Sequence, residues 1–174
     1  PGYTESFTIH EKQPISGGDI NLAYKISNGK SDYFIKLNNK EHLNHFESEA
    51  YALQQIKALN LIACPEVITF GTSADKSFLV LNYIPFSPAN ATNWHELGSN
   101  LGLMHKNSTH GQFGWQQDNY IGDTLQPNNW SSNWRTFFAE QRIAWQLQLL
   151  SEKSIRLGNI DHIAQICHDA LLHH

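Results

Sequence analysis

Residues 16–24 read SGGDINLAY, residues 33–38 read YFIKLN and residues 46–50 read FESEA. The order of these three pieces decides the fold. Gly17 and Gly18 tolerate positive φ, and the flanking Ser16 and Asp19 side chains bond local backbone, so a tight exposed loop is specified ahead of an apolar strand. Residues 27–30, SNGK, supply a hairpin turn into a second strand, on which Lys36 shares a face with Phe34 while Tyr33, Ile35 and Leu37 point the other way. Residues 41–59 then repeat apolar side chains at helical steps through Phe46, Ala50, Leu53 and Ile56. Glu49 falls on or beside that stripe. A carboxylate on the core side of a helix needs a cation or hydrogen-bond donors. Helical geometry alone leaves two readings open: a pair with Lys36, or a reach past the helix edge into solvent.

Working outward, residues 6–9 alternate polar and apolar and read as a leading strand. Residues 65–71 and 77–84 read as two more strands joined by a turn at 73–76. The expected fold is α+β: a five-stranded antiparallel sheet with one long helix inserted after its third strand, followed by a helical part. Residues 85–90, PFSPAN, break regular structure and set the expected boundary. The expected organisation is therefore an N-terminal unit at 1–84, a linker at 85–92 and a helical unit at 93–174. Trp94, Leu97, Gly98, Leu101 and Met104 make the stripe of the first helix there, a long helix follows at 134–157, and a last one spans 160–172. Between them, residues 110–133 are rich in Gly, Asn and aromatics without helical or strand period. A polar loop of that length suits binding, and its Trp, Tyr, Asn, Asp and Gln suit stacking on and hydrogen-bonding to a polyhydroxylated ligand.

Composition narrows the field. A net charge of −4 and 12 Lys plus Arg in 174 residues do not make the clustered basic surface that nucleic-acid binding requires. Cys64 and Cys167 lie far apart, so neither a disulfide framework nor a zinc knuckle is signalled, and a reducing, cytoplasmic setting is expected. No membrane-spanning run occurs. The ten histidines include no H-E-x-x-H, and His42 with His45 lacks a nearby third ligand in sequence, so no metal site is assigned. There is no G-x-S-x-G elbow and no P-loop. His168-Asp169 sits inside an apolar helical pattern and has no asparagine at the spacing of a kinase catalytic loop. Phosphoryl transfer remains. It needs a loop over the phosphates, a lysine on them, a carboxylate to hold that lysine and a hinge whose backbone grips the adenine. Gly17 and Gly18, Lys36, Glu49, and Asn82, Tyr83 and Ile84 supply these in order.

With residues 94–105 (WHELGSNLGLMH), Phe113-Gly114, residues 118–128 (DNYIGDTLQPN), Trp134-Arg135, Phe137-Phe138 and Arg142 added to these pieces, the chain resembles the fructosamine (ketosamine) kinases. That family lies within the protein-kinase-like superfamily, beside aminoglycoside phosphotransferases and choline kinases. The phosphate and lysine pieces are shared across the superfamily, whereas DNYIGDTLQPN is much more specific. The resemblance implies a nucleotide-binding lobe and the opening helices of a larger helical lobe. It implies ATP and Mg2+ as cofactors, Lys36 on the ATP phosphates, Glu49 fixing Lys36, and an acceptor in which a sugar hydroxyl of a ketosamine is phosphorylated, leading to deglycation. Asp118, Asn119, Tyr120, Gln126 and Asn128 are the candidate acceptor-binding residues. The family's H-G-D-L-W-x-G-N segment, with its aspartate base, and its later D-P-A magnesium aspartate are absent from these residues. No catalytic or metal residue is therefore assigned here, and both are expected past His174. Another phosphotransferase of the superfamily, or a non-catalytic nucleotide- or sugar-binding module, remains an alternative.

Overall fold

The computed structural model describes residues 7–17, 20–107, 110–155 and 157–172, in two compact units spanning 1–108 and 109–174. The first unit is built on strands β1 (Glu11–Pro14), β2 (Leu22–Ser27), β3 (Asp32–Asn39), β4 (Val67–Ser73) and β5 (Lys76–Asn82) in the antiparallel order β1-β2-β3-β5-β4. A 3₁₀ turn at Lys40–His42 leads into helix α1 (Leu43–Leu59), the one helix inserted between β3 and β4. Sheet and inserted helix agree with the sequence expectation. The leading strand does not fall at 6–9: among the described residues of that stretch none is in a strand, and β1 begins at Glu11. Alternation was the wrong guide, because β1 is an edge strand exposed along its whole length and buries no face.

The core of this unit lies between α1 and one face of the sheet. Phe46 and Ala50 are buried on Leu79 and Leu81, flanked by Phe34, Leu53 and Val67. In register, Phe34 faces Leu81 and Lys36 faces Leu79, so the alternation of β3 puts Lys36 on the helix-covered face. Asn60 ends α1 in the left-handed conformation, with φ 53°, as asparagine can at a helix C-terminus. Helix α2 (Ala91–Asn107) completes the unit and has no buried residue: Trp94, Leu97 and Leu101, expected on an inward stripe, are all exposed.

The second unit opens with a feature that periodicity did not reveal. Within the expected irregular stretch, β6 (Asn119–Ile121) and β7 (Thr124–Gln126) form a hairpin joined by Gly122-Asp123. Gly122 takes φ +62° at the first turn position, where only glycine is unstrained. Each strand has three residues, too few for a two-residue period to stand out. The expected long helix starts at Trp134 but ends at Glu152, five residues early, and is not uniform. It runs as α3 (Trp134–Phe138), a π segment (Ala139–Ala144) and α4 (Trp145–Glu152). Asn133 caps α3, its Oδ1 accepting from the Arg135 and Thr136 amides. Phe137 and Ala139 are the buried positions where α3 passes into the π segment. Helix α5 (Ile160–Ala170), capped by Asn159 and carrying His168 and Asp169, packs on α3 and the π segment.

Asn128 ties the hairpin to the helix. It is only 3% exposed, and its amide donates from Nδ2 to the Gln117 carbonyl at 3.1 Å and to Asn119 Oδ1 at 3.0 Å. Its backbone N–H donates to Asp118 Oδ1 at 2.9 Å, and its carbonyl accepts from the Trp115 amide. On the other side Arg142, in the π segment, donates to Asn128 Oδ1 and to the Pro127 carbonyl. Burial lowers the guanidinium from its ordinary value, but that value is so high that the charge persists. Gly114 passes close by with φ +149°, and a Cβ there would lie 2.9 Å from both the Asn128 carbonyl oxygen and the Trp130 Cα.

Two stability measurements follow from this packing. Asn128→Ala removes a buried amide that braces the half-buried Arg142 and Asn119, and is expected to cost about 2–4 kcal/mol in denaturant unfolding. Gly114→Ala combines backbone strain with collision against main chain, and a loss of about 2 kcal/mol or more is expected. A variant as stable as the wild type at either position would show that the hairpin is held by other means.

Candidate functional site

In the first unit the candidate nucleotide corner is assembled by strand register. Lys36 lies in the middle strand, opposite Ala23 of β2 and Leu79 of β5. Glu49 rises from α1 three residues after buried Phe46, and its two oxygens sit 2.6 and 2.9 Å from Lys36 Nζ. The two readings left open by helical geometry are thereby decided: the pair forms. Their side chains remain 26% and 33% exposed, so the pair is open to solvent on one side and worth at most about 1 kcal/mol to folding. What it does is direct a mobile lysine to one position.

The loop ahead of β2 is anchored to β3. Asn38 donates to Asn21 Oδ1 at 2.8 Å and to the Ile20 carbonyl at 3.4 Å, while the Ile15 amide reaches the Ala23 carbonyl at 2.9 Å. Gly17 holds φ +121°, which an L side chain rarely adopts, although the space beside it is open. Gly18 lies outside the described residues. At the far end of β5 the three hinge candidates differ. The Asn82 amide and side chain are spent on Glu66, and the Tyr83 amide donates to the Asp32 carbonyl at 3.3 Å. Ile84 alone keeps a backbone N–H and carbonyl without a hydrogen bond among the described residues, and it is exposed. A ligand edge seeking backbone donors would therefore meet Ile84.

Sequence reading missed one neighbour of this hinge. Lys25 pairs with Asp32 at 2.7 Å and lies 4.7 Å from the Tyr83 ring centroid. The hydrogen bond to Asp32 raises Lys25 above its ordinary value, and the same bond lowers the Asp32 carboxyl, with Ser27 adding to it. The signal was available in the register: Lys25 faces Phe34, so Asp32 is its diagonal neighbour two residues away.

In the second unit, most of the candidate acceptor residues are occupied by their own chain. Asn119 Oδ1 accepts from Gln126 Nε2 at 2.8 Å as well as from Asn128, Asp118 Oδ1 caps the Asn128 amide, and Asn128 is buried. Tyr120 is half-buried on β6, facing Leu125. These side chains shape the hairpin. Their polar atoms are largely unavailable to a ligand, which the sequence could not show because it gives residue types without partners. Cys64 and Cys167 are both free thiols, and no helix among the described residues is long and apolar enough to cross a membrane.

Comparison with known proteins places this geometry. The fructosamine kinase family model matches residues 2–174. A protein of Vibrio vulnificus named "Probable ketoamine kinase" is 42% identical over 170 residues, covering 97% of this chain and 59% of its own. One of Escherichia coli K12 with the same description is 37% identical over 166 residues, with coverage of 95% and 58%. A crystal structure from Haemophilus somnus that carries the name of fructosamine-3-kinase superposes with a TM-score of 0.90 at 32% identity, covering 97% of this chain and 57% of that one. This chain thus spans about three fifths of the length of the relatives it matches. Its sheet with one inserted helix is the α+β arrangement expected from the sequence, and the chain belongs to the fructosamine kinase family.

Proposed function

We propose that the protein, at the length of its relatives, is an ATP-dependent kinase that phosphorylates a sugar hydroxyl of ketosamines, with the described residues supplying the nucleotide corner and part of the acceptor site. The observation that carries this reading is the two-pronged Lys36–Glu49 pair on the helix-covered face of β3. A lysine fixed by a carboxylate, yet still partly open to solvent, is suited to neutralising phosphate oxygens as charge moves between them. The names of the relatives supply the acceptor class, and their membership of one family with this chain supports it. ATP, when bound, provides the phosphoryl group, with Mg2+ as its counter-ion. Lys36 would hold its phosphates, Gly17 and Gly18 would cover them, and the backbone at Asn82, Tyr83 and Ile84 would take the base, with Ile84 making the hydrogen bonds. No general base and no magnesium ligand is assigned among these residues. The functional boundary is proposed at residues 85–92. Two unpaired thiols favour a reducing, cytoplasmic setting.

In the full-length protein, Lys36→Ala is expected to lower turnover by about a hundredfold or more while shifting the unfolding midpoint little. Unchanged turnover would remove Lys36 from the mechanism. Glu49→Gln, which leaves the lysine less well directed, is expected to lose about 10- to 100-fold, mainly through a higher KM for ATP. A loss confined to the KM for the acceptor would contradict its role. Turnover assays with a ketosamine, an aminoglycoside, choline and a free sugar test the acceptor class, and phosphorylation of one of the last three without the ketosamine would overturn it.

A further inference from the structure

The register of the sheet places a second ionic pair on the face that bears Lys36. Lys25 of β2 stands opposite Phe34, and Asp32 lies two residues before Phe34 on β3, so both share a face with Lys36. Tyr83 follows the last residue of β5 and continues its alternation past Leu79 and Leu81. Lys36 and Asp32 are about 13 Å apart along an extended strand. One face therefore has two ends, with Lys36 and Glu49 at one and Lys25, Asp32 and Tyr83 at the other.

At the second end three contacts converge on Tyr83. Its amide donates to the Asp32 carbonyl at 3.3 Å. The Asp32 carboxylate holds Lys25 Nζ at 2.7 Å, and that ammonium stands 4.7 Å from the centre of the Tyr83 ring, within reach of a cation–π attraction. Asp32 thus grips Tyr83 twice, by its main chain and through Lys25. Ser27 steadies the carboxylate with a further hydrogen bond. The bond to Asp32 raises Lys25 above its ordinary value, so the charge over the ring persists through the neutral range. With side chains 24% and 40% exposed, this pair adds little to folding. Its consequence is geometric. Ile84, the next residue, is the one hinge candidate with an unspent backbone N–H and carbonyl among the described residues, and its place is set by how Tyr83 is held.

We propose that Lys25 and Asp32 are positioning residues for nucleotide selection, clamping Tyr83 so that the Ile84 backbone meets the edge of adenine. This deepens the ATP-dependent reading and rests on it. Adenine carries a donor at N6 where guanine carries an acceptor at O6. A carbonyl held in one place therefore favours ATP over GTP, and a loosened one loses part of that preference.

The test uses the full-length protein and whichever acceptor it phosphorylates. Lys25→Met is expected to raise the KM for ATP about fivefold, with turnover at saturating ATP kept within about twofold. The KM for GTP should change little, so the preference for ATP narrows by about the same factor. Asp32→Asn, which takes the anchor from Lys25, should give the same pattern, and Lys25→Arg, which keeps both the cation and the donor, should restore the wild-type KM. Combining Lys25→Met with Asp32→Asn should be no worse than either alone, since both break one clamp. An unchanged KM for ATP in Lys25→Met, an equal loss for ATP and GTP, or a Lys25→Arg variant that restores nothing would overturn the clamp. Equal loss is what general loosening of the sheet produces. A wild type that uses GTP as well as ATP would overturn the role given to Ile84, and this inference with it, while leaving a kinase in place. A wild type that uses neither nucleotide would sink the kinase reading and this inference together.

Discussion

Helix α1 meets two opposed demands on one face. It must bury Phe46 and Ala50 against Leu79 and Leu81, and from the same side it must present a carboxylate to β3. Glu49 stays one-third exposed, so the register is not forced by a buried charge, but it is the register in which the carboxylate meets a cation on the sheet. Lys36 is that cation because strand alternation sets it two residues from Phe34 on the covered face. The apolar contacts and the ion pair therefore specify the same helix position, and a one-residue slip of β3 would lose both. The pair adds little net stability. Its contribution is to favour one arrangement of helix and sheet, the one in which the lysine is directed by Glu49 and still partly open to solvent.

Much of this first unit was readable from the sequence because its signals are local and repeated. Glycines, turn residues, two-residue alternation and a helical stripe each named their element, and their order named the sheet. The exceptions have physical reasons. β1 buries nothing, so it carries no alternation to read. The apolar stripe of α2 finds no cover among the described residues, so amphipathicity predicted the helix and failed on burial. Glu49 could be placed on the stripe, while its partner could only be surmised, since pairing depends on the distance between two elements. The Lys25–Asp32 pair went unread although a diagonal rule would have found it.

The second unit was harder to read because it is held by polar side chains whose partners lie ten to fifteen residues away, as with Arg142 and Pro127 or Asn128 and Asp118. Residue type announced that the stretch was polar and rich in hydrogen-bonding groups. It could not say whether those groups faced a ligand or one another. In Asn128 they face one another, and a side chain that looked like a sugar contact is a buried cross-brace. Trp145 at the start of α4 is likewise tied to the hairpin, its Nε1–H donating to the Leu125 carbonyl.

The π segment at Ala139–Ala144 has a bearing on how this part of the chain can vary. It holds one more residue in its turn than an α-helix would, and each helical residue turns the chain by about 100°. Everything after it, including Trp145 on α4, is therefore set at an azimuth fixed by that extra residue. A single deletion within 139–144 would straighten the helix into a more regular hydrogen-bond ladder. It would also swing Trp145 off the Leu125 carbonyl and carry Arg142 off Asn128. Local regularity and the bonds to the hairpin are thus in conflict here, so substitutions can accumulate in this helix more readily than changes in its length.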